Sequence, residues 1–547
     1  MKRFFILLFL AAFQTGFSQP QPAVLQPVKR LPADTSFRYG RLANGLTYYI
    51  RHNNYPEGYA DFQIFHAVGA IQEEDNQNGL AHFLEHQAFK GLAHFPGKSM
   101  LHYMESIGVK FGANLNASTT TDYTRYMINQ VPVSRQGIID TCLMVLADWS
   151  GSILAEPEDI ESERGVIKEE WRMRGGVNLR TTQALAPFLF KGSRYADRSV
   201  IGDMNIISGF KREELMDFYH KWYRPDLQAV AIVGDFDVNA MEAAVKERFS
   251  GLKNPQHPAP KIPYPLPDNK EIIYGTYSDK EATSSSISLL FKHPGPERAR
   301  RQEPGVYTER YVRRLVIAMM NERWAKVSDK QDLPLKWLEF SYGDFVADKD
   351  VFGISGDIKP GKEHLMPALD RMLEESERIW RYGFTQSELE LAKARFHRSL
   401  ERSYLEKDKK TNSAFIESCL HHFLENAPVV SAVTSYQILG NVLDTVSLNE
   451  VNTMAKSLFS EDNRLITIVT AESDAPAIPD RATVVRKLNA LPNLALSAYE
   501  GSKAPALQLS HPPVSGKVVK EEKVKLGATR WTLSNGAVVY LLPTDNK

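Results

Sequence analysis

Cysteine is nearly absent. Two residues, Cys142 and Cys419, stand far apart in a chain of 547, which excludes a disulfide framework and reads as two buried free thiols. Net charge is lacking as well: Lys+Arg and Asp+Glu number 66 each, so no overall field draws the chain to nucleic acid or to an anionic membrane surface. Beyond the N-terminus no run approaches about 18 consecutive apolar residues, so the mature chain is expected to be soluble and to need no membrane. A shortage of hydrophobic residues is what the sequence does not have. At 43% hydrophobic and 24% charged it can build cores, and its length exceeds what one core of roughly 250–300 residues fills, so two or more domains are expected.

The N-terminus is of a different character. Lys2 and Arg3 precede the apolar run Phe4 to Phe13, with the small residues Gly16 and Ser18 where cleavage would fall. Residues 1–18 read as a secretory signal peptide. No Cys lies near the junction, which excludes a lipid-anchored mature N-terminus. The expected location is periplasmic or extracellular.

Turn and linker signals divide the remainder. Asn44-Gly45 marks a tight turn opening a first unit, 36–252, which ends near the β-rich run Ala229–Gly234, read as an inner strand. Asn254 to Pro267 carries six prolines, a density that no helix or central strand survives, so 253–269 is a linker. A second unit, 270–475, closes on Leu465–Val469, which echoes Ala229–Val233 in type and in place. From 476 to 527 the chain is Pro-, Ala- and Lys-rich without clear periodicity and reads as another linker. Then Leu533–Leu541 repeats the pattern of Leu42–Ile50, with the Leu, the Asn-Gly and a Tyr kept at an offset of 491 residues. A third unit is therefore expected to begin at 528–547 and to be cut off there.

The chemistry-bearing segment is Gly79–Gly91. On a helix, at about 100° per residue, His82, Glu85, His86 and Phe89 share one face, and Leu80, Phe83, Leu84 and Ala88 share the other. The apolar face buries while two imidazoles one turn apart converge on the opposite side. That is what a zinc ion needs, with room left for a third protein ligand and a water. Glu85, beside them, is placed to act as general base on a metal-acidified water. Downstream, Glu156–Glu170 reads as an acidic helix opening at Pro157. By contrast, His421 and His422 are adjacent, point about 100° apart and do not share a metal easily. His94 sits in a turn with Phe95-Pro96, where packing accounts for it.

These residues resemble the inverted-zincin peptidases, the family of pitrilysin, the insulin-degrading enzyme and the mitochondrial processing peptidase. The family pairs His-x-x-Glu-His with a Glu about 74–76 residues on, in a Glu-x-Glu-Arg setting. Glu161-Ser162-Glu163-Arg164 fits, with 74 residues between His86 and Glu161. The resemblance thus implies Glu161 as third ligand, with Glu163 its neighbour, and one zinc per chain, while Glu163, Glu169 and Glu170 themselves read as solvated helix surface. One departure stands out: the family's second acid, seven positions before the ligand, falls on Leu154, and Glu156 would substitute only if the loop were shorter, which leaves that acid unassigned. Gly112–Thr124 looks like the family's edge strand against which an extended peptide pairs, which assigns substrate contact to Asn116, Ala117 and Ser118.

The fold class implied is α+β, in tandem homologous domains of the pitrilysin and processing-peptidase type, each a mixed, mostly antiparallel sheet packed by helices. The function implied is a zinc endopeptidase acting on peptides or unfolded polypeptides, completed by a missing C-terminal half without which this part is weakly active or inactive. The alternatives are a non-catalytic scaffold or binding subunit, and a leader-removing processing peptidase. A scaffold would have no need of Glu85.

Overall fold

The computed structural model describes residues 30–329, 332–500 and 515–544. The signal peptide expected at 1–18 lies outside the described residues. Among those described, no helix is long and apolar enough to cross a membrane.

The first sheet comprises β1 (Phe37–Arg41), β2 (Thr47–His52), β3 (Tyr59–His66), β4 (Leu115–Thr119), β5 (Thr124–Pro132) and β6 (Gln228–Gly234), in the spatial order β1-β2-β6-β3-β5-β4. β2 and β6 run parallel, and every other neighbouring pair is antiparallel. β6 lies inside the sheet and is buried along its whole length, as its unbroken run of apolar residues demands. β4 is the edge strand.

The second sheet comprises β7 (Ile273–Asp279), β8 (Ser285–Pro294), β9 (Leu335–Val346), β10 (Lys349–Ile358) and β11 (Arg464–Ala471), ordered β7-β11-β8-β10-β9. Its one parallel pair is β7 with β11, and the rest are antiparallel. Strand for strand this is β2-β6-β3-β5-β4 again. Residues 253–269 between the two carry neither helix nor strand.

Each sheet packs one face on its own helices. Tyr48, Ile50, Phe62, Ile64, Val230 and Ile232 belong to the first core, which also takes in the helices Gln136–Gly151, Arg212–Trp222 and Val238–Phe249. The alternate residues Tyr49, Phe65, Ala229, Ala231 and Val233 point the other way. They are covered by Ile416, Cys419 and Leu420 of a helix from the second unit, Asn412–Glu425. The exchange is reciprocal: helix Val177–Leu189 of the first unit lies on β7, where a Cβ on Gly275 would come within 2.7 Å of the Phe188 ring, and Arg180 holds Asp279 at 2.7 Å. Both free thiols are buried.

Two boundaries differ from the sequence reading. Within 476–527, taken as linker, lies helix Arg481–Ala490, whose Val484 and Leu488 enter the second core. Two buried side chains one turn apart are too few to stand out as a period. The first compact unit therefore continues to Tyr499. In the unit from Glu500 onward, β12 (Val518–Lys523), β13 (Thr529–Leu533) and β14 (Val538–Leu541) form a meander beginning ten residues before 528. Its Asn535-Gly536 turn repeats the Asn44-Gly45 turn bond for bond: Gly536 N to Leu533 O at 2.9 Å and Leu533 N to Ala537 O at 2.8 Å match Gly45 N to Leu42 O at 2.9 Å and Leu42 N to Leu46 O at 2.8 Å.

Candidate metal centre

Helix α1 (Leu80–Gln87) follows Gly79, which adopts a left-handed φ of 106°. A Cβ there would stand 2.8 Å from Gly202 Cα, so only glycine fits the approach. Glycine has no side chain to cap the helix, and the cap comes from a distance. The Glu73 carboxylate, fully buried, accepts from Gly79 N at 2.9 Å and from Ala81 N at 2.8 Å, satisfying two of the amide groups that a helix start leaves unpaired. Arg194 and Arg198 in turn donate to the Glu73 carbonyl. Sequence reasoning missed this residue. The signal available was the bare glycine itself, which requires that a cap be supplied from elsewhere.

The imidazoles of α1 meet helix α2 (Pro157–Arg174). His82 Nε2 and His86 Nε2 lie 3.8 and 3.5 Å from Glu170 Oε2, and one ligand atom from each of the three lies within 4.8 Å of the others. Tetrahedral zinc with bonds of about 2.0–2.2 Å separates its ligand atoms by roughly 3.4 Å, so this donor set fits the ion. His86 Nδ1 is 2.9 Å from Glu163 Oε1, whose other oxygen is 2.5 Å from Lys90 Nζ. A carboxylate on the far ring nitrogen fixes the tautomer that leaves Nε2 as the ligand. His82 Nδ1 is buried and finds no partner among the described residues.

Glu161, expected as third ligand, is not brought to the histidines. Its side chain is 70% exposed and pairs with Arg164 at 3.0 Å. The cause is the rotation of α2, set by Ile160 and Ile167, which bury in the core. With Glu163 and Glu170 they form a stripe spaced three, four and three, whereas Glu161 lies about 100° off it. Glu163 and Glu170, expected as solvated surface, therefore face α1. Glu169 is exposed as expected, paired with Arg172.

Glu85 faces the edge strand. Thr119 Oγ1, at the end of β4, donates to Glu85 Oε2 at 2.5 Å. Asn116, Ala117 and Ser118 lie on β4, paired with β5 on one side and with no strand on the other among the described residues. The electrostatics separate the groups. Burial raises the Glu85 carboxyl above its usual range, opposed by the Thr119 bond. Burial pushes the His82 imidazole down, to about 4. For His86 burial acts in the same direction, yet its bonds to Glu163 and Glu170 prevail and raise it to about 9. The bond to His86 holds Glu170 low.

The other histidines are accounted for by packing. His422 Nδ1 meets the Tyr49 hydroxyl at 2.6 Å, His421 pairs with Glu417 and Glu425, and His94 holds Asp148 at 2.8 Å.

Tandem copies of one α+β unit, the first bearing a two-histidine, one-carboxylate triangle beside an edge strand, define the inverted-zincin class of fold. The chain belongs to peptidase family M16: the model described as insulinase (peptidase family M16) matches residues 50–178, and the peptidase M16 inactive domain matches 209–396. A zinc protease PQQL-like of Arabidopsis thaliana is 28% identical over 511 residues, covering 93% of this chain and 50% of the relative. The first half of the periplasmic protease PqqL from Escherichia coli superposes with a TM-score of 0.79 at 23% identity, over 86% of this chain and 100% of that one. The longer PqqL structure gives 0.80 at 24%, over 95% of this chain and 57% of that one. At such identities the two structures establish the fold. The chain spans about half the length of the curated relatives it matches over most of its length.

Proposed function

We propose that the chain is the metal-bearing half of an exported zinc endopeptidase, with zinc held by His82, His86 and Glu170 and with Glu85 as general base. The observation that carries this reading is the convergence of those three ligands beside a carboxylate that the edge strand itself holds in place. When bound by these residues, zinc would supply Lewis acidity for the scissile carbonyl and for a water. Thr119 occupies Glu85 Oε2 and leaves Oε1 to take the proton of the attacking water and pass it to the departing amine. The free edge of β4 at Asn116–Ser118 pairs with the backbone of an extended peptide, which suits unfolded substrates of varied sequence. Counted from Glu170, the position seven residues earlier is Glu163, two turns back on the same face, which offers the second acid that the count from Glu161 places at Leu154. Export accords with the periplasmic location of the E. coli neighbour.

The test is metal content together with turnover. Protein offered zinc should hold one ion per chain by elemental analysis. Glu85→Gln, in the chain extended with its second half, should keep that ion while hydrolysis of an unstructured peptide falls by about 10²–10⁴. A wild type that binds no zinc, or a variant with near-normal turnover, would overturn the assignment.

A further inference from the structure

The matching order of the two sheets gives the metal centre a counterpart. Helix α1 stands between β3 and β4, and the helix Pro304–Ser328 stands in the same way between β8 and β9. Where α1 presents imidazoles to α2 and a carboxylate to its edge strand, this helix presents guanidinium groups. Arg310 reaches both oxygens of Asp344 on β9 at 3.2 Å, and Arg313 lies 4.3 Å over the ring of Tyr342. Between them opens a cavity of about 730 Å³, walled by Arg301, Arg310, Arg313, Arg314 and tyrosines, with Asp344 as the one lining carboxylate. Arg301 is held by Glu425 at 3.0 Å. Arg314 is exposed, and no carboxylate among the described residues lies within ion-pair distance of it. Arg313 is held through its Nη2 by Glu309 at 2.5 Å, and its Nε is buried without a partner among the described residues. A planar guanidinium fork matches a carboxylate in two parallel bonds, and aromatic walls strengthen such a bond by excluding water.

A continuous line of polar contacts joins this cavity to β4. Arg125 Nε donates to Ser118 Oγ at 3.3 Å, and its Nη1 meets Glu417 at 3.1 Å. Glu417 lies 3.5 Å from His421, His421 lies 3.2 Å from Glu425, and Glu425 holds Arg301. Glu417, His421 and Glu425 are one turn apart in succession on helix Asn412–Glu425, so the line advances about 12 Å along that helix. With an ion pair at each end, the cavity lies on the order of 20 Å from Ser118, a span that about six extended residues cover at roughly 3.3 Å each.

We propose that this arginine-walled cavity is an anion subsite that takes a carboxylate of the peptide lying on β4, from an acidic side chain or from the free chain terminus, about six residues away. The inference rests on the reading of β4 as the substrate strand. The test uses zinc-loaded Glu85→Gln protein and fluorescently labelled, unstructured peptides, with binding followed by anisotropy. One arm compares Glu with Gln six residues to either side of a common central segment. The other compares a free with an amidated C-terminus. At least one carboxylate-bearing peptide should bind about tenfold or more tightly than the neutral, amidated one, and the arm that responds identifies the source. Arg314→Gln, at an exposed position where the fold is spared, and Arg310→Gln should each erase much of that preference. Equal binding of acidic and neutral peptides, or a preference that survives both substitutions, overturns the subsite alone. Failure of every peptide to bind overturns the β4 reading and the subsite with it.

Discussion

At the scale of the residue, His82, Glu85 and His86 were legible because they lie within two turns of one helix, where spacing alone fixes which side chains share a face. The carboxylate that converges on the two imidazoles was not. Its choice depends on how α2 is rotated against α1, which Ile160 and Ile167 decide by burying, and no local pattern announces which apolar residues win. The two assignments part sharply under mutation. Glu170→Gln should abolish stoichiometric zinc binding, whereas Glu161→Gln, on a 70% exposed side chain, should leave zinc content unchanged. Glu163→Gln should weaken zinc by about 10–100-fold without emptying the site, because it removes the partner of His86 Nδ1 and not a ligand. Competition with a zinc-chelating dye measures all three. Equal zinc affinity in Glu170→Gln and wild type would return the choice of ligand to Glu161 or Glu163.

At the scale of the element, β6 and β11 were recognisable as inner strands because residues buried on both faces are apolar without alternation. The short helix Arg481–Ala490 was missed because its two buried contacts are made with a partner surface far away in sequence. The start of α1 shows the same limit, since its cap, Glu73, lies beyond the reach of rules that look one residue before a helix. That cap carries a pH signature. Burial raises the Glu73 carboxyl from 4.5 to about 8, against the opposing pull of its two amide bonds and of Arg198 and Arg194. A carboxyl with a raised folded-state value holds its proton more tightly when folded. Its contribution to stability is thus complete below about pH 4.5 and is lost as the pH rises through about 8. Measured from pH 5 to 9, the melting temperature of wild type relative to Glu73→Gln should fall by roughly 2–5 °C. A difference that stays flat across that range would mean that Glu73 does not titrate there.

At the scale of the whole molecule, the turn at Asn535-Gly536 was legible as a repeat of that at Asn44-Gly45, because a tight turn demands particular residues wherever it recurs. The exchange of covering helices was not legible, since amphipathic patterning says that a helix covers a sheet and not which sheet. In the C-terminal hairpin, Tyr540 and Leu541 are 64% and 37% exposed, whereas Tyr49 and Ile50 at the matching places after the first Asn-Gly turn are 2% and 0% exposed. On the proposed reading of the chain as one half of a longer enzyme, the other half would bury them and supply the groups facing the metal centre. Extending the chain by roughly 400 residues should raise hydrolysis of an unstructured peptide by about 10²-fold or more at equal zinc occupancy, the scale of one oxyanion donor. Equal activity of the short and extended forms would show that half to be dispensable. The exchanged helices bear also on how such a chain is made. As it emerges from the ribosome, the first sheet has all its strands once residue 234 is out, yet Tyr49, Phe65 and Val233 stay bare until residues 412–425 follow. At about 5–20 residues per second, the cover of that sheet is delayed by roughly ten seconds or more, an interval in which chaperones can hold the chain unfolded for the export proposed above.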